Sequence, residues 1–402
     1  MDRLRRFGAL VWFVLRSPAL VASTLVLATL WFWPLSLHVY YPVPGDPELS
    51  AALEPTMGQA AYTAGMDDAQ IAYTKRRAEA AQAVIDAPDE ASAVRAYATY
   101  ERIECLEGGK VRMLSTEPEV QRKARVALWE AVAALPDGSA AAWGSMEEYP
   151  ALLYLSAAAL LPSWAWALPA LAAVWSAGRL AAGRRGLLRV RPVSAASGFL
   201  ATVGAAALAA SIAALASVVP AFLASALKNS VGDGAYPVVN IVGSSVISGT
   251  VASSLGSVAA AWALASLFVC SAGLCVTAMC DSRLLGAFVA AVVAVAPGFL
   301  TDASAASHGQ VAGPDLWAPT TYLRPPAYCG RFTYSAILDH MTTNAFGETV
   351  SLLPKPIEGA SLPIASIVFA LWSATTCAVG TLACLTRQPR PDRRGRRKEA
   401  SS

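Results

Sequence analysis

Residues 194–226 read SAASGFLATVGAAALAASIAALASVVPAFLASA, and no Asp, Glu, Lys, Arg or His interrupts them. A helix of a soluble domain shows water at least one face, so an uncharged run of this length belongs in a bilayer. Working outward from it, the same reading applies to residues 151–177, 251–279, 284–300 and 362–385, and to a run that opens at Pro18 and ends near Leu37. Each is close to the roughly 17–25 residues that a hydrocarbon core demands of a helix. The expected fold is an all-α polytopic membrane protein. Its six transmembrane helices fall at 18–38, 150–177, 194–226, 251–279, 284–300 and 362–385.

The positive charge assigns sides to these spans, because Lys and Arg near span ends stay in the cytoplasm. Arg3, Arg5, Arg6 and Arg16 precede or open the first span, and Arg179, Arg184, Arg185, Arg189 and Arg191 fill the connection at 178–193. Arg283 separates the fourth and fifth spans, and seven more basic residues crowd the tail at 386–402. These segments hold 17 basic residues against four acids, and the rest of the chain holds 14 against 24. Both termini are therefore expected inside, which requires an even number of spans. Residues 1–17 read as an amphipathic helix on the inner surface. Trp31 and Trp33 continue the first apolar run and no small-residue cleavage site follows, so it reads as a retained span. Trp31, Trp33, Tyr40 and Tyr41 are expected as its outer aromatic belt.

Residues 39–149 are the largest polar block and are expected as a mostly helical extracytoplasmic domain. Ile71, Thr74, Ala78, Ala81 and Ile85 recur at helical spacing, as do Val120, Ala124, Leu128, Ala131 and Leu135. Residues 89–106 are a third candidate helix, and Tyr41–Pro47 reads as an extended stalk. The apolar stretch before Val251 is ambiguous. Its Gly and Ser residues (Gly243, Ser244, Ser245, Ser248, Gly249) suit an outer loop or re-entrant segment over 227–250 rather than a further span. Residues 301–361 form a second extracytoplasmic segment, expected to contain short helices.

Of the seven cysteines, only Cys105 and Cys329 fall in outer segments. An oxidising compartment allows a bridge between them, and two unbridged thiols are the alternative. No Cys-x-x-Cys, His-Glu-x-x-His, Gly-x-Ser-x-Gly or P-loop occurs, and His38, His308 and His340 are scattered. No metal, cofactor, nucleic-acid partner or catalytic constellation is expected. The spans carry no carboxylate for ion coupling, so energy for any transport would come from a partner. Small residues recur every fourth position from Ser197 through Ala205, Ala213 and Ala221 to Ser225, the spacing that lets helices approach closely.

This layout resembles the permease subunits of ABC-2-type transporters. The likeness rests on a basic interfacial helix before the first span, a large outer domain between spans one and two, a short basic inner connection, and an outer segment before the last span. It covers nearly the whole chain and rests on no short motif. The resemblance implies a second permease, as homodimer or heterodimer, and cytoplasmic ABC ATPase subunits. It implies export of an amphipathic, peptide, lipid-like or glycan substrate across a bacterial plasma membrane. By position, it assigns Arg179, Arg184, Arg185, Arg189 and Arg191, with the N-terminal helix, to contact with the ATPase. The same arginines would serve topology alone in any inner loop. A membrane-anchored sensor or assembly protein, whose outer domain binds a ligand or partner, is the alternative.

Overall fold

The computed structural model describes residues 2–33, 35, 42–59, 61, 64–108, 119–136, 139–158, 163–181, 194–242, 245–305, 316–323, 341–343, 349–351 and 361–386. The protein is mostly helical. It begins with α1 (Asp2–Leu15) and α2 (Pro18–Leu30), whose axes bend by 63°. Ser17 makes the bend: its Oγ accepts the Leu20 N–H, and Pro18 occupies a first-turn position where no N–H is needed. α2 rises only about 20 Å. The chain turns at Trp31, so the first run is not one helix to residue 38. Trp31 is buried rather than part of an aromatic belt; its carbonyl accepts from Tyr154 and its indole N–H donates to Ser217 Oγ at 3.2 Å. Trp33 is exposed, and Tyr40 and Tyr41 lie outside the described residues.

The described residues of the second apolar run form two helices, α7 (Ala151–Ala158) and α8 (Ser163–Ala181), and residues 159–162 between them lie outside the described residues. α9 (Ala195–Asn229), α10 (Val251–Cys280) and α12 (Leu362–Thr386) are each long and apolar enough to cross a membrane, and α1–α2 pass the same test only as a bent pair. α11 spans Arg283–Ala305.

Side-chain contacts fix the directions of these helices. Ser17 at the start of α2 meets Ser176 near the end of α8, and Trp31 at the end of α2 stacks edge-on against Trp166 near the start of α8. Asn229 at the end of α9 bonds the backbone at Glu147 and Tyr149, just before α7. Trp262 in the first half of α10 donates to Trp166 O, whereas Gly273 and Thr277 in its second half face Gly286 at the start of α11. Gly380 near the end of α12 faces Phe199 near the start of α9. Successive helical segments therefore run in alternating directions. The buried middle of the small-residue ridge on α9 (Ala205, Ala209, Ala213, Ser217, Ala221) faces its neighbours, while Ser197 at its start is exposed.

The polar block forms α3 (Pro47–Gln59), α4 (Asp68–Ile85), α5 (Glu90–Arg102), a π turn at Ile103–Glu107, and α6 (Glu119–Ala133). α3 begins where the stalk was expected to end and was not anticipated. Asp67 opens α4 with a reciprocal capping box to Gln70. The buried face of α4 is Tyr73, Thr74, Ala80, Ala81 and Val84, rotated slightly from the expected stripe because Tyr73 rather than Ile71 points inward.

Two hairpins depart from the all-helical expectation. β1 (Pro237–Val242) pairs antiparallel with β2 (Ser245–Thr250), from Pro237↔Thr250 to Val242↔Ser245, and both strands lie on α6. Within the stretch expected as an outer loop or re-entrant segment, the described residues 237–242 and 245–250 form a strand pair packed on the polar helical domain. Val238, Val239 and Ile241, β-branched and apolar, favour the pleated form. Thr250 then caps α10: its Oγ1 accepts Ser253 N–H while Ser253 Oγ accepts Thr250 N–H. Among the described residues of 301–361 are a 3₁₀ turn at Pro319–Tyr322 and the antiparallel pair β3 (Met341–Thr343) and β4 (Thr349–Ser351); the rest of that segment lies outside the described residues.

Candidate functional site

Three places in the molecule gather polar chemistry: the junction of the long helices with the polar helical domain of residues 42–136, the opposite end of the helices, and the interior of that domain.

At the junction, α9 reaches past the bundle and is held by the segment that leads into α7. Ser225 Oγ donates to Tyr149 O at 2.8 Å, and Ala151 N–H and Leu152 N–H donate to Ser230 O and Val231 O at 3.1 and 3.0 Å. The hairpin closes the seam. Tyr236 donates its hydroxyl to Ala141 O, accepts Val251 N–H at its carbonyl, and packs its ring 5.3 Å from Trp143. Burial pushes the Tyr236 phenol far above its ordinary value, with Glu90 adding to the effect, so it stays a donor. Beside this seam is a cavity of about 260 Å³ lined mainly by Phe32, Leu35, Met146, Tyr154, Ala221 and Ala224. Lys228 and Glu147 stand at its rim with Nζ and Oε2 3.8 Å apart. Both are well exposed, so the pair adds little stability. Apolar walls and a charged rim suit the apolar part of an amphipathic molecule.

At the opposite end, two guanidiniums lie on indole rings. Arg16 stacks over Trp12 at 4.5 Å and Arg283 over Trp175 at 4.4 Å. Both stacks lie at the same end of the helices, where Ser176 donates to Ser17 Oγ at 2.7 Å. α8 meets α11 here with Gly178 against Arg283, where an added Cβ would come 3.1 Å from the arginine's own Cβ. Arg179 is exposed at the end of α8. Arg184, Arg185, Arg189 and Arg191 lie outside the described residues. The structure therefore adds Arg16 and Arg283 to Arg179 at one end of the helices.

Inside the polar helical domain, Arg125 of α6 sets Nε and Nη2 3.1 and 2.9 Å from Glu101 Oε2 of α5. Cys105 Sγ donates to the same oxygen at 3.2 Å and accepts from Arg125 Nη2 at 2.9 Å. Burial raises the Tyr97 phenol strongly, and the Glu101 carboxylate beside it adds to the shift. A second knot joins Arg77, Glu104, Tyr73 and Tyr100. Burial disfavours the Arg77 charge, but Tyr100 and Glu104 outweigh it and raise its pKa. Cys329 lies outside the described residues, so its pairing with Cys105 stays open. On the domain surface a cleft of about 540 Å³ is lined by Asp46, Asp89, Glu90 and Glu148. Each of these carboxylates accepts a backbone N–H, from Glu48, Ser92, Ala142 and Gly144. Among the described residues, no group of three or more His, Cys, Asp or Glu side chains is placed to hold a metal ion.

Compared with protein-family models, curated proteins and solved structures, the chain matches none. The arginine–tryptophan stacks, the Tyr236 seam and the cavity went unread in the sequence. Arg16 and Arg283 carried a signal as basic residues at span ends, but nothing in the sequence paired them with Trp12 and Trp175.

Proposed function

We propose that the chain is the membrane-spanning subunit of an ATP-driven exporter of the ABC-2 type, seated in a bacterial plasma membrane with both termini in the cytoplasm. A separate cytoplasmic ATPase supplies the energy, and a second permease, identical or related, completes the pathway. The observation that carries this reading is the alternating course of the apolar helices. It puts Arg16, Arg179 and Arg283 at one end and the helical domain at the other. That polarity favours six crossings, with α1–α2 entering as a bent pair and α7–α8 as a broken one. No Asp, Glu, Lys, Arg or His occupies the middle of α2, α8, α9, α10 or α12, which favours energy from a partner over ion coupling. The cavity at the Tyr149–Ser225 junction would receive an amphipathic substrate at the outer side.

The acidic cleft favours a second reading, a membrane-anchored receptor whose outer domain takes a cationic ligand. A mild-detergent pull-down of the tagged chain from its native membrane separates the two. A stoichiometric P-loop ATPase supports the exporter. Recovery with only a secreted or envelope partner overturns it in favour of the receptor.

A further inference from the structure

We propose that the end of the helices where α2, α8 and α11 meet is a binding site for one anionic phospholipid. The inference rests on the sidedness proposed above, not on export. Arg16 and Arg283 each hold the guanidinium carbon over an indole ring, and neither has an ion-pair partner among the described residues. A guanidinium held by its face keeps its N–H edge for a second ligand, and a phosphate diester matches that edge in shape and charge. Ser17, next to Arg16, and Ser176, next to Trp175, are hydrogen-bonded at 2.7 Å, so both stacks belong to the same end of the helices. Arg179 is exposed one turn from Trp175, and Asp281 is the acid nearest Arg283 in the chain. The local charge is therefore positive, as an anionic head group requires.

The surroundings distinguish a lipid from a soluble anion. Leu284, Leu285 and Phe288 follow Arg283 on α11 and are exposed, and Trp12 and Phe13 are exposed beside Arg16. These surfaces flank the charged pair on both sides and would meet acyl chains. A free phosphate gains nothing from them, whereas a phospholipid buries its chains there while its head group meets the arginines. An acidic surface on a partner protein would find the same charge but leave the flanking apolar groups without a role.

The test uses the purified full chain in mild detergent, with thermal unfolding followed as lipid is added in mixed micelles. Phosphatidylglycerol at about a hundred times its dissociation constant should raise the midpoint by about 3 °C. Phosphatidylcholine should not. The pair Arg16→Gln with Arg283→Gln should lose most of the shift, and Lys75→Gln, at an exposed lysine of the outer domain, should keep it. Should the glutamine pair fail to fold, Arg16→Lys with Arg283→Lys keeps the charge and should retain at least half of the effect. An equal shift with phosphatidylcholine, or with inorganic phosphate alone, overturns the proposal. So does an unchanged lipid shift in an arginine-pair variant that instead loses a co-purifying acidic protein. None of these readouts depends on transport or ATPase activity.

Discussion

Arg125→Ala tests whether α5 and α6 are held together by a charge pair sunk between them. The Glu101 side chain is 6% exposed and Arg125 21%. Truncating the arginine leaves the carboxylate inside, with only the Cys105 thiol and the Tyr97 hydroxyl as side-chain donors. Removing one partner of a fully buried pair costs about 3–5 kcal/mol. Water already reaches Arg125, so about 2–3 kcal/mol is the reasoned figure. At 1.4 kcal/mol per factor of ten, amides of α5 and α6 should exchange about 30–140 times faster. Hydrogen–deuterium exchange of the full chain in detergent measures this, with α9 peptides as the internal reference. Glu101→Leu with Arg125→Met removes both charges while keeping bulk, and should recover most of the loss. Protection within threefold of wild type in Arg125→Ala would refute the reasoning. So would a double variant worse than the single one, since the cost would then come from packing and not from a stranded charge.

Gly286→Ala should destabilise the helices, because a Cβ there would strike Thr277 Oγ1 and approach Gly273 O. Overpacking of this kind costs about 1–3 kcal/mol and should lower the unfolding midpoint by several degrees. Gly256→Ala, which meets nothing within 4 Å, should leave the midpoint unchanged. The Asp89 carboxyl lies below its ordinary value of 3.8 because the Ser92 N–H bonds its charged form. Its folded pKa is therefore below the unfolded one, so its contribution is complete above the unfolded value and lost as pH falls through the folded one. Below about pH 4 wild type should lose α5 helicity in a circular-dichroism titration relative to Asp89→Asn, whose cap carries no titrating group; parallel curves would count against this. Exposed Cys280 should react with a maleimide in the folded chain, and buried Cys270 only after unfolding. Cys105 should follow Cys270 if it is a thiol, and should resist even unfolded, unreduced labelling if it is bridged to Cys329.

The long helices were legible because their signals are local. Ser194 before α9 and Thr250 before α10 are hydroxyl caps at the edges of uncharged runs, and both cap in the structure. What failed was decided by distant partners. Trp31 looked like a belt residue, but its indole and carbonyl are claimed by Ser217 and Tyr154, far along the chain. The apolar Val238–Val242 stretch read as an approach to the bilayer because strand and buried helix share composition over so few residues. Only the face of α6 decides between them. α3 was masked by Pro42, Pro44 and Pro47, which suggested extension, although Pro47 in fact starts the helix. The candidate sites were the least legible, since each is assembled from several elements and no spacing in the chain announces it.

The outer domain is not one energetic unit. Val94, Ala98, Leu128, Trp129 and Val132 of α5 and α6 belong to the same continuous core as Val238 and Val239 of the hairpin and the long helices. Leu49, Leu53, Tyr73, Ala81 and Val84 of α3 and α4 form a separate, smaller cluster with Tyr100 and Ile103. A cluster of that size buries little apolar area, so its opening free energy lies well below that of the main core. α3 and α4 should therefore exchange their amides through a sub-global opening that leaves α5, α6 and the hairpin protected. The Arg77–Glu104 ion pair is the main polar tie across this boundary, and Arg77→Met should widen the gap by speeding exchange in α4 more than in α6. Coincident protection of α3, α4 and α9 would refute the division. It would mean that Tyr100 and Ile103 couple the two clusters strongly enough for the whole outer domain to open only with the bundle.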